Sequence, residues 1–215
     1  MRIRYGLFSR VLMRCAEVAA EADGKKIVAM VFDDRLKAVA NLYLTAHDAV
    51  IKAEGAWAKE NGESLQALKV LDQPYQETLA VVAAYLPHEV LPTTLKSLPT
   101  DTDRLKAIRD LVDLLDDRQS DAWATEQLSG PFGTQGPQAI TELEESISAN
   151  KAYAKASEQR AESYGPAYER YLAFKQVVRA AYGHTSKQYH RIHLRSSKSG
   201  SDTDQPQPTP APPVS

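Results

Sequence analysis

Along most of the chain apolar side chains return every three or four positions, and turn-forming residues cut that rhythm into helical lengths. Phe8, Val11, Leu12, Cys15, Val18, Ala19 and Ala22 share one side of a helix over about 5–22, which Asp23-Gly24 closes. The clearest pattern follows it. Leu36, Val39, Tyr43, Ala46, Val50, Ala53 and Trp57 step by three and four in alternation, a coiled-coil-like seam. A strand would alternate by two and turn half of these side chains to the wrong face. Asn61-Gly62 is the expected end, because glycine accepts the left-handed conformation that closes a helix and Ser64 caps the next one. Asp72-Gln73-Pro74 is the competing break. The preferred reading turns at Gly62, kinks near Pro74 and points Leu65, Leu68, Leu71, Tyr75, Leu79, Val82 and Leu86 inward.

Pro87, Pro92 and Pro99 mark a linker with room for one short helical piece. Thr100 or Asp101 caps a helix whose buried stripe is Leu105, Ile108, Leu111, Val112 and Leu115. Gly130 to Pro137 reads as a loop, with Pro137 opening a helix that buries Ile140, Leu143, Ile147, Ala154, Ala161 and Tyr164 and ends at Gly165-Pro166. A last major helix runs through Tyr168, Tyr171, Phe174, Val178 and Ala181 to Gly183. From Ser196 onward Val214 is the only bulky apolar residue, so no core forms there and a disordered, Pro-rich tail is expected. Its Pro210 to Pro213 spacing lacks the basic neighbour of a good SH3 ligand and reads as solvated linker. The expected fold class is all-α: an antiparallel helical bundle of about five to six helices over 1–195, followed by the tail at 196–215.

Parts of the chain echo one another. Asp34-Arg35-Leu36-Lys37-Ala38-Val39 resembles Asp103-Arg104-Leu105-Lys106-Ala107-Ile108, and Ala56-Trp57-Ala58-Lys59 resembles Ala152-Tyr153-Ala154-Lys155. Tyr75 to Tyr85 also pairs with Tyr168 to Tyr182 after a slip of about one helical turn. The first two echoes need different offsets, so a duplication requires an insertion, for which Gly130 to Pro137 is the expected place. Convergence of amphipathic helices on Ala, Leu and Lys explains them equally well. If the duplication holds, two helical hairpins form a four-helix core, with the first and the aspartate-rich helices as additions.

Composition narrows the function classes. The 215 residues are 43% hydrophobic and 25% charged, with a net charge of −2, which is ordinary for a globular protein and gives no global pull toward nucleic acid or membrane. A single cysteine, Cys15, rules out an internal disulfide, so a reducing, cytoplasmic home is the simplest expectation. No apolar run approaches a bilayer span, and Arg10 and Arg14 interrupt the N-terminal stretch where a secretory peptide needs an unbroken apolar core. Attachment of the first helix to a membrane surface is less favoured than packing of the same stripe against the bundle.

No catalytic constellation emerges. Leu44, Tyr85, Ala181, Lys187 and His190 stand three residues before the five histidines, so the Glu-x-x-His pairs of di-iron bundles are missing. His184, His190 and His193 have no acid or cysteine nearby in sequence to complete a metal shell. Phosphate loops, dinucleotide-binding glycines and nucleophile elbows are absent from the sequence. Cys15 belongs to an apolar face and reads as a small hydrophobe with a raised pKa. Asp110, Asp113, Asp116 and Asp117 read as a solvated face, and Asn150, if buried, as a register-setting residue. The expectation is a non-catalytic helical module, without cofactor or metal, that binds another protein or itself. The alternative is nucleic-acid binding by the basic, aromatic segment 175–198, where Lys175, Arg179, Lys187, Arg191 and Arg195 would meet phosphates and Tyr189 would stack on a base. Against it stand the acidic net charge and the lack of a recognised nucleic-acid motif.

Overall fold

The computed structural model describes residues 5–22 and 25–194. Among these, the chain forms α1 (Tyr5–Ala20), α2 (Lys26–Val31), a π-helical turn (Phe32–Leu36), α3 (Lys37–Tyr85) and a 3-10 turn (Leu95–Ser97). These are followed by α4 (Asp101–Asp116), α5 (Ala122–Ser129), α6 (Pro131–Tyr182) and α7 (Lys187–Arg191). The fold is all-α, with no strand among the described residues. The tail expected at 196–215, Arg195 and the Asp23-Gly24 stop lie outside the described residues.

Two helices of 49 and 52 residues dominate. At 1.5 Å per residue each is roughly 75 Å long. They run antiparallel, as Tyr43 against Tyr164, Trp57 against Tyr153 and Tyr75 against Phe132 show. The expected turn at Gly62 does not occur, and neither does the stop at Gly165-Pro166, because α3 and α6 continue through them, α3 with Pro74 inside it. Proline inside a helix costs about 3 kcal/mol. Around Pro74 that cost is offset by Leu71, Tyr75 and Thr78, all buried, since a fully buried large apolar side chain contributes about 1.5–3 kcal/mol. Ala167 and Tyr171 are likewise buried just past Pro166.

The loop expected at 130–137 is also helical. Pro131 takes the first helical position, where its missing N–H costs nothing, and Phe132 is buried. Gly133 and Gly136 serve packing rather than turning. A Cβ on Gly133 would collide with the backbone of Leu128, and one on Gly136 would touch the ring of Phe132.

The core lies at the two ends of the rod. At one, α1, α2 and the start of α3 enclose Phe8, Leu12, Cys15, Leu36 and Tyr43 with Tyr171, Phe174 and Val178 of α6. At the other, α4, α5 and the start of α6 enclose Ile108, Leu111, Leu115, Phe132 and Leu143 with Leu71, Tyr75 and Val82 of α3. The core is therefore two helices long and two clusters deep, not the four-helix core that two hairpins would give, and α1 and α4 complete its ends.

These ends match at many buried positions. The separation of Tyr75 from Tyr171, 96 residues, also carries Leu12 to Ile108, Cys15 to Leu111, Val28 to Ala124, Leu36 to Phe132, Leu71 to Ala167 and Val82 to Val178, and all these side chains are buried. Both tyrosines tie down the segment after their own helix: Tyr75 donates to the Pro92 carbonyl at 3.0 Å and Tyr171 to the Ile192 carbonyl at 2.8 Å. Trp57 and Tyr153 are equivalent under the same shift and stack on each other, centroids 5.5 Å apart, at the middle of the rod. The resemblance of 34–39 to 103–108 does not follow this shift, since the first segment opens α3 and the second lies in α4.

Candidate functional site

Between the two ends, over roughly residues 47–65 of α3 and their neighbours on α6, the molecule narrows to two helices. The seam of this waist is small and polar: Val50, Ser64, Ser146, Ala156 and Ser163 are its buried residues. The hydroxyls of Ser64 and Ser163 turn back to the carbonyls of Asn61 and Arg160, each 3.0 Å away. Buried polar atoms without a protein partner also gather along α3 and α6, at His47 Nδ1, Glu60 Oε2, Gln135 Oε1, Ser157 Oγ and Arg160 Nε. Asn150, a candidate register residue, is exposed instead.

α1 and α4 lie on one side of the α3–α6 ribbon. Phe8 of α1 packs on Tyr43, Tyr164, Tyr168 and Tyr171 at 5.0–5.8 Å, while the α4 cluster holds Leu68, Leu79, Ile140 and Ile147 against it. On that same side, in the gap between α1 and α4, α3 presents Ile51, Gly55, Ala58, Gly62 and Leu65, all exposed. Ile51 and Leu65 are each 55% exposed. Leu65, expected in the interior, stands on the surface. It faces outward because the seven-residue step that buries Val50, Ser64 and Leu71 leaves 51, 58 and 65 about a quarter-turn away.

The six groups proposed for nucleic-acid contact are placed differently from an open cationic strip. Arg191 is gripped by Glu21 at 2.5 Å and Glu17 at 2.6 Å. Lys175 lies over the ring of Tyr189 at 5.5 Å, and Tyr189 itself packs against the α1 end. Ile192 is fully buried, which makes the segment after α6 a cover on the core. Arg179 and Lys187 are exposed, and Arg195 lies outside the described residues.

Other candidate chemistry resolves into structure. Cys15 is buried, and burial pushes its thiol well above the usual range, as expected of a small hydrophobe. Asp110, Asp113, Asp116 and Asp117 are exposed, the solvated face expected of them. His184 and His190 are exposed and join no group of metal-ligating side chains among the described residues. Ligand oxygens of Glu60, Glu63 and Glu142 lie within 4.8 Å of one another, a cluster that motif spacing missed because Glu142 arrives from the other long helix. The Lys59 ammonium supplies the positive charge there, 3.0 Å from Glu60 and 2.9 Å from Glu63. No helix among the described residues is long and apolar enough to cross a membrane. Comparison with protein-family models, curated proteins and solved structures finds no match.

Proposed function

We propose that this chain is a non-catalytic helical rod that acts as a protein-interaction or structural module, with the waist as its contact surface. The observation that carries this reading is the pair of half-exposed side chains Ile51 and Leu65, set among Gly55, Ala58 and Gly62 and bordered by Glu54 and Asn61, where the rod is only two helices thick. Apolar surface in a groove bounded by packed elements is the usual mark of a binding face. A photoreactive side chain at Ala154, on this side of the waist, is expected to form protein adducts in living cells, whereas one at Ala152, on the opposite side, is not. Equal labelling from both positions, or none from Ala154, would refute the assignment. A cytoplasmic location fits the lone reduced cysteine and belongs to the same proposal.

The nucleic-acid reading has less support, because Arg191 and Lys175 are engaged within the chain and leave Arg179 and Lys187 as its exposed cations among the described residues. Filter retention at low salt that falls steeply as salt rises would restore it.

We also infer that the two ends descend from one duplicated unit. The support is the common shift that relates their buried positions, their anchoring tyrosines and the Ala56–Lys59 and Ala152–Lys155 segments. That shift needs no insertion at 130–137.

A further inference from the structure

A two-helix ribbon cannot enclose its own apolar flank, and at both ends of the rod this flank is covered by a third helix, α1 or α4. At the waist it is bare. Ile51, Ala58 and Leu65 recur every seventh residue on α3, with Gly55 and Gly62 on their outer side and Glu54 and Asn61 between them and the seam. Ala154 and Ala161 hold the equivalent places on α6, with Ile147 packed on the α4 cluster at the end of their row and Lys151 and Glu158 along the outer edge.

We propose that a second copy of this chain covers the waist, packing its own waist face to face and completing a four-helix bundle there. This rests on the reading of the waist as a contact surface and names what it contacts. Size is consistent with it. About 27 Å of helix, two helices of about 10 Å wide, presents roughly 500 Å² per copy, so a pair buries roughly 1,000 Å², the lower bound for a specific interface. Charge selects the arrangement. With α6 antiparallel to α6 of the second copy and centred on Ala154, each Lys151 faces Glu158 of the other chain. The same two-fold axis sets α3 antiparallel to its counterpart about Ala58. Ile51 then meets Leu65 of the second copy, and Gly55 and Gly62 let the backbones approach. The other four-helix pairing, α3 over α6, would strand Lys151 beside Ala58 and Glu158 beside Ile51, charge against apolar surface.

The full chain is expected to show dimer mass by light scattering at tens of micromolar and to dissociate on dilution. Ile51→Glu with Leu65→Glu is expected to give a monomer with unchanged helical circular dichroism. Lys151→Glu is expected to weaken the dimer at least tenfold, and adding Glu158→Lys to restore it, a rescue that a role within one chain would not produce because the two residues lie two turns apart. Under diamide, Ala58→Cys is expected to form disulfide-linked dimers and Ala152→Cys to form none, with the buried Cys15 silent in both. A strict monomer at about 100 µM would overturn the proposal, as would a dimer that Ala58→Cys fails to link and the double charge swap fails to restore. A monomer that still yields adducts with a different protein from Ala154 would remove self-association and keep the contact surface. Loss of both would remove both.

Discussion

Individual side chains carry most of what can be tested cheaply. Gly133 sits against the Leu128 backbone, so Gly133→Ala is expected to destabilise the fold by about 1–3 kcal/mol in denaturant unfolding, although alanine favours helix at an open site. Burial, and after it the negative charge of Asp110, push the Tyr75 hydroxyl up to about 12, and burial raises Tyr171 too, so both remain protonated donors at neutral pH. Tyr75→Phe and Tyr171→Phe each leave a carbonyl short of its donor. Tyr75→Phe is expected to cost about 1 kcal/mol, and Tyr171→Phe more, because its hydroxyl also accepts from the Leu194 N–H at 3.3 Å. His47 stacks on Tyr43, and burial, with Arg160 nearby, holds its pKa below the ordinary 6.5. The unfolded chain therefore binds protons first as pH falls, and stability is lost as pH drops from about 6.5 toward the lower native value. Leu143 is buried at the equivalent place on α6. His47→Leu is expected to flatten this acid dependence in thermal unfolding between pH 5 and 7, and an unchanged pH profile would contradict the placement.

At the scale of elements, helical periodicity was readable wherever one flank is dry. Phe8 to Ala19, Leu36 to Trp57 and Leu105 to Leu115 announce α1, α3 and α4, and Thr100 caps α4 as its hydroxyl suggests, accepting from the Asp103 N–H at 3.1 Å. The breaks were misread because Gly62, Pro74 and Gly165-Pro166 are local penalties, while the burial of Leu71, Tyr75, Ala167 and Tyr171 that outweighs them comes from helices distant in sequence. The contact face had the same difficulty. Ile51 and Leu65 are apolar like their buried neighbours, and only the position of α1 and α4 shows which of them stays wet. In the same way the cationic character of 175–194 was legible, but not the Glu17 and Glu21 that answer Arg191 from the far end of the chain. For α7, Ile192→Ala is expected to cost about 2–4 kcal/mol and to speed amide exchange over 187–194. Arg191→Ala, a partly exposed ion pair, is expected to cost no more than about 1 kcal/mol. The reverse order would mean that the cover is held by charge.

At the scale of the whole molecule, the waist exists only because α3 and α6 pass straight through their own stop signals. A hairpin at Gly62 or Pro74 would fold the chain back, turn Leu65 inward and leave no two-helix segment to be covered. Spin labels at Lys52→Cys and Gln76→Cys bracket both residues on the outside of α3, and the buried, unreactive Cys15 leaves the labelling specific. With labelled chains diluted in unlabelled protein, a pulsed dipolar measurement is expected to give a single distance near 36 Å, the 24-residue rise of one continuous helix. A distance below about 20 Å would contradict the rod and everything drawn from its waist.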